Sequence, residues 1–364
     1  IINDLDMPKS NVLINPTKDN QKFIENNVCA ATLTFFFVDL INKKLNSKFK
    51  LNDYFIFPII STICDLMPLR GFNRKILTIG FKNLVIKNKG LKKLISNSLK
   101  KKLSYQDIGF NVGPLINSSG RVAKANDVVE LFLSQNDDKI DTIVDKINNY
   151  NEVRKKIEQD NLNLINLKKY YGKNVVFIYN KEFHEGTIGI IAAKLSQLFN
   201  KPCFILTGSD SLLRCSIRSG NNIKINKTIN RLISNQLIIS GGGHDEAGGF
   251  TARKEYLSKI EDFLIKEYEN LNIKNHSYFD AYTVFPKKSS TIVNDLKSLE
   301  PFGKENPEPI FYFKNIKSIK SKIINKRHIQ NILKNKNGRS IKSISFDCVN
   351  SELGKYLLNF KKEF

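Results

Sequence analysis

Apolar positions along this chain change their period several times, and each change predicts an element. Residues Asn26 to Lys44 are apolar along most of their length and predict a long helix. Phe55 to Leu69 is a second apolar run, interrupted by the single carboxylate of Asp65. From Asp127 to Tyr170 the chain is charged and free of Pro and Gly, with apolar residues at 140, 143, 144, 147, 150, 153 and 157. Spacing of three and four describes one long amphipathic helix, most simply a connector between two lobes. Asn174 to Tyr179 and Pro202 to Leu206 read as strands, with a helix from about Ile188 to Phe199 between them, so this part reads βαβ. A helix over Tyr256 to Tyr268 closes the lobe. After His276 come strand-like segments at Ile310–Phe313, Ile316–Ile319, Ile329–Leu333 and Ile341–Phe346, with one further helix near Ile292–Leu299. They fit a small β-barrel of the OB type whose final strands are missing.

Several stretches carry candidate chemistry. Ser240 to Phe250 sets five glycines around His244, and glycine amides can line an anion-binding nest; the alternative is a tight turn between a strand and a helix. Ser216-Ile217-Arg218-Ser219 offers two hydroxyls and a guanidinium, and His184-Glu185-Gly186-Thr187 opens a helical run. Asp107 to Arg121 reads as a Gly/Ser/Asn-rich loop closed by an arginine shaped for a phosphate fork. The three donor clusters between residues 184 and 250 suit a polyanion. Asp4 and Asp6 follow the strand-like Ile1-Ile2, as cation ligands or as an ordinary polar turn. An unpaired buried carboxylate costs several kcal/mol, so Asp65 is hydrogen-bonded, paired, metal-bound, or a helix cap.

Composition narrows the classes. The 364 residues hold two or three domains, and 58 Lys+Arg against 35 Asp+Glu give +23, a bias toward nucleic acid. The chain is also rich in Asn, Ile and Lys, as AT-rich coding produces, so part of the lysine belongs to solvated faces. Five scattered cysteines without a Cys-x-x-Cys pair indicate a reducing compartment, the cytoplasm, with neither a disulfide framework nor a zinc site. No apolar run reaches membrane-spanning length, and no membrane partner is expected. The opening in a strand-like run without Met reads as a fragment.

The succession Gly113-Pro114 to Gly120-Arg121, His184-Glu185-Gly186-Thr187-Ile188-Gly189-Ile190, Ser216-Ile217-Arg218-Ser219, Gly241-Gly242-Gly243-His244 and Leu299-Glu300-Pro301-Phe302-Gly303 through Asn306-Pro307-Glu308-Pro309 resembles the RecJ exonucleases of the DHH phosphoesterase family. The glycine–histidine motif is shared with oligonucleotide phosphodiesterases and the editing-linked end of alanyl-tRNA synthetases; the Leu299–Pro309 segment singles out the RecJ type. The resemblance implies an α/β protein with two α/β lobes joined by a long helix, then an incomplete OB barrel. Residues 1–126 would be the C-terminal part of the DHH domain, 127–170 the connecting helix, 171–273 the DHHA1 domain and 274–364 a truncated OB domain. It implies two Mn²⁺ or Mg²⁺ ions, with Asp4, Asp6 and Asp65 as metal-binding positions and Asp65 and His244 as catalytic ones. Arg121, His184, Ser216, Arg218, Ser219, Gly241, Gly242, Gly243 and His244 would bind nucleic acid. Implied partners are single-stranded DNA, a single-strand-binding protein and a helicase.

Two departures bear on activity. The family's Asp-His-His motif stands here as Asp4-Leu5-Asp6, and leucine cannot ligate a metal; further ligand motifs would precede residue 1. The family's arginine in the Gly-Pro segment is replaced by Leu115 or Ile116. Two functions follow as expectations. One is a single-strand-specific 5′-to-3′ exonuclease of recombination and repair; the other is a non-catalytic single-strand-binding relative with a degraded metal site.

Overall fold

The computed structural model describes residues 11–16, 27–98, 103–208, 211–220, 223–271, 278–285 and 289–359. Asp4, Leu5 and Asp6 lie outside them. The chain divides into two units, 1–67 with 71–275 and 68–70 with 276–364. No helix among the described residues is long and apolar enough to cross a membrane.

The first unit begins with helices α1 (Ala30–Lys44), α2 (Ile56–Cys64), α3 (Gly71–Lys82) and α4 (Lys89–Ser98). Next come a single turn α5 (Tyr105–Asp107), a π-turn over 108–112, and α6 (Gly113–Val122). The stretch from 107 to 121, expected as a loop, is therefore helical. Its glycines serve close packing: a Cβ on Gly113 would stand 2.6 Å from Cys64 Sγ. Pro114 occupies the first turn, where its missing N–H costs nothing.

The single connector helix expected over 127–170 is broken. Helix α7 (Asn126–Leu133) stops, and α8 (Asp137–Asn163) restarts behind the Asn136 cap, whose side chain accepts from the Lys139 amide. In its first half α8 buries Ile140, Ile143, Val144 and Ile147 against Leu94, Leu115, Val128 and Leu131. Each such aliphatic side chain contributes roughly 1.5–3 kcal/mol on burial. Beyond Ile147 the apolar stripe fails, with Val153 exposed. The buried positions there are Asn151, Glu158 and Asn161, so half of the helix is core and half carries a polar network.

The expected βαβ unit is present as β1 (Val176–Tyr179), α9 (Glu185–Phe199) and β2 (Cys203–Thr207), with β1 and β2 parallel. The sheet continues antiparallel through β3 (Leu212–Arg218), β5 (Ala247–Arg253) and the edge strand β4 (Ser240–Gly243), in the order β1-β2-β3-β5-β4. Helices α10 (Ile225–Ser234) and α11 (Leu257–Glu267) cover one face, where Phe204, Leu206, Leu213, Cys215, Ile217 and Phe250 form the core. On the other face α9 packs over β2 and β3, and its Ile188, Ile191 and Leu195 share a buried cluster with Val176, Cys203 and Ile205. The rest of that face is the open surface discussed below.

The second unit comprises β6 (Ala281–Tyr282), α12 (Ser289–Lys297), β7 (Phe311–Tyr312), β8 (Ile316–Ile324), β9 (His328–Asn335), β10 (Ser340–Ser345) and α13 (Glu352–Leu358). Strands β8, β9 and β10 form an antiparallel meander, while β6 and β7 pair in parallel as a separate ribbon. Among the described residues the two sheets do not close into a barrel, consistent with an incomplete OB fold. Helix α13, which the periodicity did not reveal, seals the meander with Leu357 on Ile329 and Cys348. Within this unit the Leu69 amide donates to the Lys304 carbonyl at 2.7 Å.

Candidate nucleic-acid interface

A floor of small and basic side chains forms where the sheet is left uncovered. Strand alternation sends Leu213, Cys215 and Ile217 into the core and Arg214, Ser216 and Arg218 to the opposite face. Register extends that face: Ser216 pairs with Gly249, which pairs with Gly242, and Arg214 pairs with Thr251, which pairs with Ser240. The Arg214 Nη1 donates to Thr251 Oγ1 at 2.6 Å.

This arrangement corrects the reading of the glycine run as an anion nest or a strand-to-helix turn. Gly241, Gly242 and Gly243 pair with Phe250, Gly249 and Gly248 in a β-hairpin, and β pairing does not converge amides on one point. They are glycine for different reasons. A Cβ on Gly241 would stand 2.9 Å from Phe250 Cβ and 3.0 Å from Ile229 Cγ2, and Gly243 is crowded by the Ala247 carbonyl. Gly242 has open space where a Cβ would be.

The walls come from α9 and α6. The Gly186 amide donates to the ring Nδ1 of His184, the N-cap of α9, at 3.1 Å. Arg121, in the last turn of α6, donates from Nη1 to the Gly186 carbonyl at 3.0 Å. Gly189, one turn on, faces Ser216: a Cβ there would lie 3.1 Å from its Oγ. Behind this wall Asn161 Nδ2 donates to Thr187 Oγ1 at 3.0 Å, tying α8 to α9. Arg154 holds Asn151 Oδ1 through Nε and Nη2 and donates to Glu158 at 2.8 Å, while Lys194 pairs with the other Glu158 oxygen.

Floor and walls enclose an open cavity of about 600 Å³, lined by Arg121, Gly186, Arg214, Ser216, Arg218 and Gly249 among others. Arg121 also borders a smaller cavity of about 230 Å³, together with Cys64, Asn117 and Arg154. Burial, followed by the nearby Arg154 charge and against the pull of Glu158, lowers the pKa of Arg121. Burial and then Arg121 lower that of Arg218. Among the described residues neither guanidinium is ion-paired; Arg218 Nη1 donates to the Ile217 carbonyl at 2.8 Å. Half-buried, mutually repelling guanidiniums beside the partly buried Ser216 hydroxyl and side-chain-free backbone favour an anion with several oxygens.

The residues singled out from sequence are thus partly gathered. Arg121, Ser216, Arg218 and Gly241 line the cavity. His184 is exposed and caps α9 instead. The Ser219 hydroxyl donates to the Ile223 carbonyl at 2.7 Å and its amide to Glu246, so it braces a turn. His244 is exposed in the β4–β5 turn, with its amide on the Ala247 carbonyl at 2.7 Å. Asp65 is not a buried carboxylate: it is the exposed C-cap of α2, its pKa raised by partial burial. No cluster of three or more His, Cys, Asp or Glu able to hold a metal occurs among the described residues. Sequence reasoning missed Arg214, Glu185 and Thr251. Period-two spacing from Ser216 and Arg218 would have added Arg214, and Arg214 Nε lies 3.7 Å from Glu185 across the cavity.

Comparison with known proteins agrees with this architecture. Residues 172–271 match the DHHA1 domain, and residues 279–359 match the RecJ OB domain. The single-stranded-DNA-specific exonuclease RecJ of Salmonella typhimurium is 22% identical over 352 residues, covering 89% of this chain and 61% of its own length. RecJ of Bacillus subtilis is 25% identical over 314 residues, covering 81% and 38%. The chain therefore spans less than two-thirds of either relative. The crystal structure of Thermus thermophilus RecJ with Mn²⁺ superposes with a TM-score of 0.77 at 19% identity, covering 91% of this chain and 49% of that one.

Proposed function

Starting from a chain that is a RecJ-like DHH-family protein, carrying the DHHA1 domain and the RecJ OB domain, we propose that its open groove holds single-stranded DNA by the phosphates and serves exonucleolytic hydrolysis of that strand. The observation that carries the reading is the pair Arg121 and Arg218, half-buried and without a carboxylate partner among the described residues. A phosphodiester supplies the missing negative charge. The glycine-lined floor admits a sugar–phosphate chain without demanding a base sequence. Two curated relatives are named single-stranded-DNA-specific exonucleases, which supports the substrate class. The finer reading is 5′-to-3′ degradation in recombination and repair, alongside a single-strand-binding protein and a helicase.

Divalent metal belongs to this proposal, since the Thermus RecJ structures carry Mn²⁺ or Mg²⁺. Asp65 has the oxygen-donor chemistry that such hard cations take, and Asp4 and Asp6 are the further carboxylates for the same role. When bound, Mn²⁺ or Mg²⁺ supplies Lewis-acid polarisation of the phosphodiester and an activated water. Arg121 and Arg218 neutralise and orient the phosphates, Ser216 donates a hydroxyl, and His244 donates to a phosphate oxygen near the scissile bond.

A second reading rests on Leu5. With leucine where the family has a metal-binding histidine, this reading makes the chain a single-strand-binding relative without catalysis. Incubating the intact protein with a 5′-labelled oligonucleotide and Mn²⁺, beside an anisotropy titration of the same strand, separates the readings. Binding with release of labelled mononucleotide supports the nuclease. Binding without release, recovered by Leu5→His with Asp6→His, supports the degraded centre. Absence of single-strand binding sinks both.

A further inference from the structure

We propose that the loop over residues 299–306 is a clasp that positions Asp65. It grips Leu69 within the second unit and so holds the turn that leaves α2 in the conformation presenting the Asp65 carboxylate. The proposal rests on the reading of Asp65 as an oxygen ligand for a divalent cation. It also gives a task to the segment 299–309, which the strand groove leaves without one.

The turn is strained where it carries Asp65. The Asp65 amide ends α2 on the Ser61 carbonyl at 2.9 Å, and the next residue, Leu66, has a φ of 52°. The Leu66 and Met67 amides complete the cap on the Ile63 and Thr62 carbonyls at 3.2 and 3.1 Å. Glycine ordinarily takes this left-handed position at a helix end, because any Cβ there crowds the backbone. A leucine in it persists only where the surrounding structure over-determines the conformation. The Leu66 side chain is 66% exposed and supplies little of that constraint, so the chain on either side must supply it.

Before the turn that constraint is the cap of α2; after it, the constraint is the second unit. Pro68–Arg70 belong to that unit although they lie between α2 and α3 in sequence. Leu69 is buried, and its amide donates to the Lys304 carbonyl at 2.7 Å. A Cβ on Gly303 would stand 2.7 Å from Leu69 Cδ1, so glycine at 303 is what lets the loop close on the leucine. Arg70 Nη1 lies 3.0 Å from Glu305 Oε2, an exposed pair that adds little. The gripping loop is itself braced. Gly303 and Asn306 exchange amide-to-carbonyl bonds at 2.9 and 3.1 Å, and Asn306 Nδ2 donates to the Leu299 and Pro301 carbonyls at 3.0 and 2.7 Å. Only residues 66–68 separate the gripped leucine from Asp65. Fixing Leu69 therefore removes freedom from the carboxylate, as outer groups that orient a metal ligand do. Leu69 and Gly303 are positioning residues.

The test places Gly303→Ala in the intact chain and reads hydrogen exchange of the Leu66 and Met67 amides beside a calorimetric Mn²⁺ titration. The added methyl should displace Leu69, speed exchange at both amides, and weaken Mn²⁺ binding about tenfold. Leu66→Gly in the same protein takes the left-handed turn without strain and should restore both readings. Wild-type exchange and wild-type Mn²⁺ affinity in the Gly303→Ala protein overturn the clasp. Losses that Leu66→Gly does not recover overturn it as well, because the damage would then lie in the second unit at large. Faster exchange with unchanged Mn²⁺ affinity overturns the positioning of Asp65. Asp65→Asn in the wild-type background tells that failure from a failure of the ligand reading: a Mn²⁺ affinity it leaves unchanged removes Asp65 as a ligand, and the proposal with it.

Discussion

Gly186 lies so close to the Arg121 carbonyl that a Cβ on Gly186 would overlap that oxygen, and the Arg121 side chain returns to donate to the Gly186 carbonyl. One backbone contact therefore sets the distance between α6 and α9, and with it the width of the groove. Gly186→Ala should destabilise the fold by about 1–3 kcal/mol, as overpacking does. It should also weaken single-strand binding beyond what denaturation curves account for. Native stability with native affinity would show that the contact is slack.

Arg121→Ala and Arg218→Ala should each weaken single-strand binding by about 1–3 kcal/mol, as for a lost charge-assisted hydrogen bond. The slope of log K against log salt should become shallower by about 0.7 for each. Arg214→Ala belongs to the same set, with a smaller loss because Glu185 already shares that guanidinium. Slopes identical to the wild type would return these arginines to ordinary surface charge.

Neighbouring glycines should respond in opposite ways. Gly243→Ala places a methyl on the Ala247 carbonyl and should lower stability, whereas Gly242→Ala meets nothing and should leave it unchanged. Gly242→Val, on the groove face, should lower affinity without lowering the melting temperature. Thermal melts beside anisotropy titrations decide this.

His244→Ala separates the two functional readings. If the protein hydrolyses DNA, kcat should fall by about 10² with affinity little changed, the pattern of a group that acts mainly in the transition state. For a binding module the substitution would touch affinity or stability alone. Single-turnover cleavage with Mn²⁺ supplies the measurement.

Alkaline pH should loosen the DHHA1 core through Tyr268. Burial raises its hydroxyl to about 12, with the Thr228 bond opposing; the hydroxyl lies 2.7 Å from Thr228 Oγ1. A folded pKa above the ordinary 10.0 means the contribution is whole below about pH 10 and disappears as pH rises through about 12. Tyr268→Phe should abolish that step in a stability–pH series.

Periodicity served where one face of an element meets one environment. It gave α1, the βαβ unit and the apolar half of α8, because a single buried stripe writes a single period. It failed at α6, where Gly113, Asn117, Ser118 and Gly120 have the composition of a loop yet are chosen for close helix contact. It also failed at β4, whose glycines alternate between crowded and open positions that leave the same letter in the sequence. The phosphate-type donors were legible as residue types. Their sorting was not: Ser219 and His184 differ from Ser216 and Arg218 only in the tertiary direction of their side chains.

The line Ser216, Gly249, Gly242 runs across three strands with a single hydroxymethyl as its tallest group. A polymer moving over such a surface meets almost no corrugation, since no side chain must be climbed between one repeat and the next. On the proposed reading, the resistance to a one-nucleotide advance then comes from remaking the phosphate contacts, those of the arginines foremost, so stepping speed should vary with ionic strength and hardly with base composition.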